Sequence, residues 1–531
     1  MSKTLGAFYT PQDLIKFIIE SLPKKNKNSH LSILEPSCGD GRFIRSLLTH
    51  YKNYKIHIDG VEFDQSTFKN TKLAFDNNQN VSIIWDDFLS FRPLDKHYDL
   101  IIGNPPYINK KLLTGEQLTF LRNILSYNDI SLLADKNIWT AFIVKSVNLL
   151  KDDGILAFVL PLELLQVKFS IYIQNFLKKS FMYIEIYTFD HLFFDTTTGQ
   201  DTVVLIAHRK HYSKGISIKD VAWNNNKIKN STNTHSELKD KENTTLKWSS
   251  RVLSNTDLEF LTSLSEKFKP VSQYIKSKPG IVTAANNYFI TNKDTINKYK
   301  LKNYTKPIIQ KSVFLKDAVL FNFDDYLNIQ NANKPSFFID LTEYKVGSNK
   351  SIDSYLSLGK ELNIHQRFKC KNRTPWYKVP LVEPGEAIFF KRLNKHPKLL
   401  KNEDRLYTTD SAYNITCNVG IDINSFIFSF YNPLTLIFCE LNGRRYGGGV
   451  LELIPSEFKQ LPLPYIKVSE EYFHKFSQEF SLKENIIDIL VNNGREILKE
   501  HISIEEFERL IFIYKKLVKR RLDMKLFYPL N

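Results

Sequence analysis

Tyr98-Asp99-Leu100-Ile101-Ile102-Gly103-Asn104-Pro105-Pro106-Tyr107 is the stretch on which the reading of this chain turns. Its first six residues, apolar apart from Asp99, read as a buried β-strand. Four residues then place an amide, two stiff rings and an aromatic face at the strand's C-terminal edge, where an open α/β sheet binds its ligands. Asn104 offers a side-chain carbonyl acceptor, the prolines fix φ and aim a backbone carbonyl outward, and Tyr107 offers a face for stacking. The set suits a planar group that carries an exocyclic amine. The plain alternative is a Pro-rich turn with a buried Tyr.

Upstream, Ser32-Ile33-Leu34-Glu35-Pro36-Ser37-Cys38-Gly39-Asp40-Gly41-Arg42-Phe43 runs from an apolar strand through a Gly-containing loop into an amphipathic helix. Gly39 and Gly41 allow a tight turn and a close approach to a ligand. A further strand pattern, residues 56–61, ends in Glu62, the position of an acid that accepts from ribose hydroxyls. A third, residues 81–85, leads to Asp86-Asp87-Phe88, where Asp87 can accept from an adenine amine and Phe88 can pack on its ring. Each strand end alone is ordinary. Four in this order point to a nucleotide-binding, doubly wound sheet.

The order resembles that of S-adenosylmethionine-dependent methyltransferases, in particular the DNA N6-adenine methyltransferases of the γ arrangement and the type II restriction–modification kind. That family has a Rossmann-like, mostly parallel sheet followed by a target-recognition domain. Its motif X is similar to Ala7-Phe8-Tyr9-Thr10-Pro11, with Thr10 placed as an N-cap and Pro11 in the first turn. Its motif VI is similar to the strand 154–161 ending in Pro161, and motif VIII to Leu192-Phe193-Phe194-Asp195. Looser likeness extends to Gly280-Ile281-Val282-Thr283-Ala284-Ala285-Asn286-Asn287, Arg373-Thr374-Pro375-Trp376-Tyr377 and Arg445-Tyr446-Gly447-Gly448-Gly449.

The resemblance implies that S-adenosylmethionine meets Phe8, Tyr9, Thr10, Glu35, Ser37, Gly39, Glu62, Asp87, Phe88, Asn104 and Pro106. It implies that Asn104, Pro105, Pro106 and Tyr107 serve the target base, with Phe194, or second Phe193, on the base's other face. It also implies double-stranded DNA as substrate, a base flipped out of the stack, a cognate restriction endonuclease as partner, a monomer, and a cytoplasmic enzyme. No metal is expected.

Composition agrees with this. At 531 residues the chain is long enough for two domains or more, and with 42% hydrophobic residues both can form cores. No apolar run reaches membrane-spanning length, and the N-terminus lacks the apolar core of a signal peptide. The four cysteines (Cys38, Cys370, Cys417, Cys439) form no CxxC pair, as befits a reducing compartment without a zinc site. A formal charge of +16 suits a polyanionic partner. Phe389-Phe390-Lys391-Arg392, Arg444-Arg445 and the run 516–521 are the candidate phosphate contacts, the last equally readable as a solvated helix face.

The expected organisation is an arm and helix over 1–30, the catalytic domain over 31–212, a boundary over 213–247, a mixed α/β recognition domain over 248–465 and a helical region over 466–531. Other amine acceptors stay open: cytosine N4, an RNA base or a protein glutamine. The long region after Trp248 counts against glutamine, and Asn104 at the first motif position leans toward adenine. No Pro-Cys pair is present, which argues against cytosine-C5 chemistry. A non-enzymatic DNA-binding subunit is the remaining alternative. A fused nuclease is not expected, since six residues precede motif X and the C-terminal region shows no nuclease motif.

Overall fold

The computed structural model describes residues 9–23, 30–93, 97–167, 169–189, 193–194, 202–223, 227–234, 253–446 and 449–523. It divides into two compact units: residues 1–259 with 445–449 and 522–531, and residues 260–444 with 450–521.

The first unit is built on one nine-stranded sheet. In chain order its strands are β1 (His30–Glu35), β2 (Lys55–Glu62), β3 (Val81–Trp85), β4 (Tyr98–Gly103), β5 (Leu150–Pro161), β6 (Tyr183–Phe189), β7 (Thr202–His208), β8 (Gly215–Ala222) and β9 (Lys227–Thr234). Their spatial order is β3-β2-β1-β4-β5-β7-β6-β8-β9. From β3 to β5 every neighbour is parallel, while β7 runs antiparallel to both β5 and β6. The order reverses between β1 and β4, which pair Ile33 with Leu100 and Leu34 with Ile101. That reversal leaves a crevice beyond the C-terminal ends of two adjacent strands. Both Glu35 and Asn104 lie there.

Why the sheet is covered on both faces is visible in β5. Leu156, Phe158 and Leu160 join one apolar cluster, and Ile155, Ala157 and Val159 join the other. Alternate residues of a strand point to opposite faces, so a stretch apolar at every position from Ile155 to Leu160 demands helices on both sides. The helices α1 (Gln12–Ser21), α2 (Arg42–His50) and α3 (Gln65–Phe75) feed the second cluster. The first receives α4 (Gly115–Tyr127), α5 (Trp139–Asn148), α6 (Glu163–Gln166) and α7 (Ser170–Ser180).

Two expectations change here. The segment 213–247, read as a partly irregular boundary with short strands, opens with β8 and β9, which carry the sheet past residue 212, and its alternating Ile216 and Ile218 bury against the first cluster. Residues 235–247 lie outside the described structure. Thr10 does not cap α1. Pro11 holds the N-cap position without a side-chain bond, its carbonyl accepting from Leu14 and Ile15.

The second unit contains a five-stranded and a four-stranded sheet, and ends in three helices, Glu470–Leu482, Ile486–Leu498 and Ile504–Asp523. Two of its sequence motifs prove to be one element. Arg373 donates to the carbonyls of Val282 (2.7 Å) and Thr283 (3.0 Å), and Arg367 donates to Ala284 (3.2 Å). Ala284 sits at φ +66°, a left-handed conformation that an L side chain resists. Ala284→Gly should therefore raise stability by about 0.5–1 kcal/mol, the relief of that strain less glycine's entropy. A higher urea midpoint at unchanged slope is the reading expected.

The basic clusters are more structural than they look in sequence. Phe389 and Phe390 are buried in a strand, Arg392 pairs with Glu452, Arg444 pairs with Glu457, and Arg521 is buried against Glu440. No described helix is long and apolar enough to cross a membrane.

Candidate active site

The loop after β1 is held by the backbone and the terminal acid of the next strand. Cys38 N–H donates to Val61 O (2.9 Å), and Gly39 N–H donates to Glu62 Oε2 (2.9 Å). The other oxygen of Glu62 accepts from Asp64 N–H (2.8 Å). Burial pushes the Glu62 carboxyl above its usual range, and these amide bonds hold it back. Gly39 (φ +51°) and Gly41 (φ +76°) take left-handed backbone, and a Cβ on Gly41 would stand 2.5 Å from the Phe75 ring. The loop thus needs glycine at both places.

Glu35 ends β1 at 2% exposure, with Oε2 buried and given no hydrogen-bond partner. Desolvation, then the charges of Asp40 and Glu62, push its carboxyl well above the ordinary carboxylate range. A buried acceptor without a donor is costly, and a ligand carrying N–H or O–H groups would relieve it.

The Asn-Pro-Pro-Tyr turn and this loop are bonded to each other. Ser37 Oγ donates to the backbone carbonyl of Asn104 (3.1 Å). Strand pairing brings the two loops side by side, and this bond fixes their spacing. Tyr107 packs against the first apolar cluster; its hydroxyl is buried, without a partner, and burial pushes its pKa well up.

The motif X arm is tied to the same loop by a cation. Arg42 grips Asp40 through Nε–Oδ1 (3.0 Å) and Nη2–Oδ2 (2.7 Å), donates to Thr10 O (2.9 Å) and lies 5.0 Å from the Tyr9 ring centroid. Tyr9 remains 47% exposed beside Gly39, while Thr10 is buried. Phe8 lies outside the described residues.

Beyond β3, Asp87 is fixed on both sides. Its Oδ1 accepts from Leu89 N–H (2.8 Å) and its Oδ2 from Gln117 Nε2 (3.0 Å). Sequence reading missed Gln117, which also completes a capping box with Thr114 at the start of α4. The Thr-x-x-Gln spacing signalled the helix start but not the reach to Asp87.

Two aromatic expectations are corrected. Phe88 is 2% exposed and packs on Phe142 (4.8 Å between ring centroids), so it is core and presents no face at the sheet edge. Phe63, directly after Glu62, is exposed (52%), as is Trp85 at the end of β3 (55%). Phe194 is also buried, in the apolar cluster on the other side of the sheet from the one that receives Tyr107. Phe193 packs edge-on against Phe189 and Trp223. Apolar rings gain by leaving water for the core, and the structure does not bring Phe194 to Tyr107. The neighbouring 190–192 and 195–201, with Leu192 and Asp195 of motif VIII, lie outside the described residues.

An acid-lined, glycine-turned loop bonded to an Asn-Pro-Pro-Tyr turn matches what comparison with known proteins finds. The family model "N-6 DNA Methylase" matches residues 1–265, and "Type II methyltransferase M.Eco57I, C-terminal domain" matches residues 245–498. The chain belongs to the N-6 DNA methylases of the restriction–modification type. Type II methyltransferase M.AccI of Acinetobacter calcoaceticus is 26% identical over 485 residues, 86% of this chain and 85% of that protein. Type II methyltransferase M.TthHB8I of Thermus thermophilus is 29% identical over 222 residues, 41% of this chain and 48% of the relative. Among solved structures, the Type IIL restriction-modification enzyme MmeI in complex with DNA superposes with a TM-score of 0.59 at 11% identity, over 92% of this chain and 73% of that one, a likeness of fold. S-adenosylmethionine is the methyl donor of this DNA methyltransferase. The residues in the crevice fit it: a buried Glu35 carboxyl oxygen without a partner, a glycine cradle, and the Glu62 carboxyl bonded to the Gly39 amide.

Proposed function

We propose that this chain methylates adenine N6 at one specific sequence in double-stranded DNA. It would act as a monomeric modification enzyme beside a separate restriction endonuclease of the same specificity. The observation that carries this reading is the Ser37–Asn104 hydrogen bond, which sets the amine-holding turn at a fixed distance from the donor loop.

Bound S-adenosylmethionine supplies an electrophilic sulfonium methyl. The chain's own work is to hold and aim. Glu62 keeps lone pairs free for the ribose hydroxyls while its amide bonds shape the loop. Asp87, held by Gln117, suits the adenine amine, and the exposed Phe63 suits that ring's face. Glu35, Ser37, Gly39, Pro106, Tyr9 and Thr10 complete the set.

At the target, the Asn104 side-chain carbonyl and the Pro105 backbone carbonyl accept the two hydrogens of the amine. An aromatic amine is a poor nucleophile because its lone pair is delocalised into the ring. Two acceptors favour a more tetrahedral nitrogen with the lone pair directed at the methyl group, and positioning supplies much of the rate. Tyr107 stacks on the flipped base.

Long-read sequencing of DNA from a methylation-free host expressing this chain should show N6-methyladenine at one position of one motif. Modified cytosine in its place would move the target to N4. Unmodified DNA from soluble, cofactor-binding protein would overturn the DNA substrate.

Glu62→Ala should weaken S-adenosylmethionine binding by about 10- to 100-fold, the worth of hydrogen bonds to a charged acceptor. Titration calorimetry is the check, and unchanged affinity would return Glu62 to a purely loop-shaping acid.

A further inference from the structure

Immediately after Tyr107 the chain enters a clamp. Residues 108–112 run against residues 134–138: Lys110 N–H donates to Lys136 O (3.1 Å), Ile138 N–H donates to Ile108 O (2.9 Å), and Asn109 bridges to Asn137. At its centre is Asp135, 2% exposed. Its Oδ1 accepts from Lys110 Nζ (2.7 Å) and lies 3.5 Å from Lys136 Nζ, and its Oδ2 accepts from Arg122 Nε (3.1 Å). Burial opposes the charge on Asp135, but the bonds from Lys110 and Arg122 outweigh it and hold the carboxyl below its usual range.

One carboxylate therefore gathers three cations and neutralises one of them. Their side chains stay accessible, at 29% for Lys110, 47% for Arg122 and 42% for Lys136. Lys111 is exposed beside them. Apolar side chains stand out on the same two turns: Leu112 (73% exposed), Leu132 (46%) and Leu133 (58%). A fold-stabilising salt bridge needs neither the surplus charge nor the bare leucines. A deformed duplex needs both: cations for the phosphates, and apolar groups for bases unstacked where one is removed.

We propose that this clamp, organised by Asp135, grips the DNA backbone flanking the extruded base. The inference rests on the DNA-methyltransferase reading above. Asp135 is then a positioning residue, acting through Lys110, Arg122 and Lys136, and the clamp joins phosphate grip to the turn that carries Tyr107. This places a DNA contact in the catalytic unit itself, within the segment that begins one residue after the catalytic turn.

The test is the salt dependence of binding of the full chain to a 30-base-pair duplex containing its site. Removing one phosphate-binding cation lowers the slope of log K against log salt by about 0.9. The double variant Lys111→Gln/Lys136→Gln should lower that slope by about 1.8 and weaken binding, with S-adenosylmethionine affinity unchanged. Asp135→Asn keeps every cation but releases its geometry. It should raise KM for DNA and reduce the fluorescence gain of a 2-aminopurine target, again with cofactor affinity intact. Wild-type protein that binds no duplex at any salt would sink the DNA reading. Wild-type binding with an unchanged slope in the lysine variant would sink the clamp alone. Lys136→Gln by itself, at a side chain 42% exposed, should lower the slope by about 0.9 and decides the matter should the double variant fold poorly.

Discussion

Asn104→Ala is expected to lower methyl transfer by about a thousandfold while leaving S-adenosylmethionine affinity within a factor of two or three. The magnitude is that of removing one preorganised polar group aimed at a reacting atom. The separation of the two effects follows from the geometry. The bond that ties this turn to the donor loop uses the backbone carbonyl of Asn104, not its side chain. The strand behind it is buried along its whole length, and Pro105 and Pro106 fix the backbone after it. Alanine therefore keeps the turn and deletes only the acceptor. Single-turnover kinetics with saturating cofactor is the measurement. A loss below tenfold would take the Asn104 amide out of the reaction and leave the Pro105 carbonyl as the only acceptor in the motif. Ser37→Ala is the complementary case: it keeps the acceptor and loosens its spacing.

That separation of backbone from side chain also governs what the sequence could and could not disclose. Strand-end motifs were legible because their chemistry is local: glycine at Gly39 and Gly41, an acid at the end of β2, Asn-Pro-Pro-Tyr after β4. Each residue type is demanded by backbone conformation or by a donor–acceptor pattern within a few positions. The order of strands made the crevice legible too, since parallel neighbours whose order reverses bring two such ends together. Aromatics were not legible. Phe88 and Phe194 carry the same side chain whether they cover a ligand or fill a core, and packing alone decides between the two. The structure sends both inward and leaves Phe63 outside. Partners distant in sequence were also hidden. Gln117 reaches Asp87 across 30 positions, and Asp135 collects Lys110 and Arg122 from two different elements. Strands β8 and β9 were obscured for a related reason. Their Asn, Ser and Thr content reads as a boundary, and only the pairing of β8 with β6 and of β9 with β8 makes them sheet.

Breaking the buried pair of the second unit should give the largest loss of stability in the chain. Arg521 and Glu440 have side chains 1% exposed, and Arg521 reaches both carboxylate oxygens, with Nε–Oε2 at 2.8 Å and Nη2–Oε1 at 2.7 Å. The same guanidinium donates to the backbone carbonyls of Asn394 and Lys395, so it ties the helices Pro433–Asn442 and Ile504–Asp523 to a loop. Glu440→Gln is nearly isosteric, so no cavity forms, but a buried guanidinium loses its counter-charge. The expected cost is about 3–5 kcal/mol, read as a lower urea midpoint. The pair itself is worth far less than its rupture. Two desolvated charges repay little more than the water they gave up, so Glu440→Leu with Arg521→Met should recover most of the loss. A double variant as unstable as Glu440→Gln would mean that the carbonyls of Asn394 and Lys395, not the carboxylate, are what the guanidinium is there to satisfy.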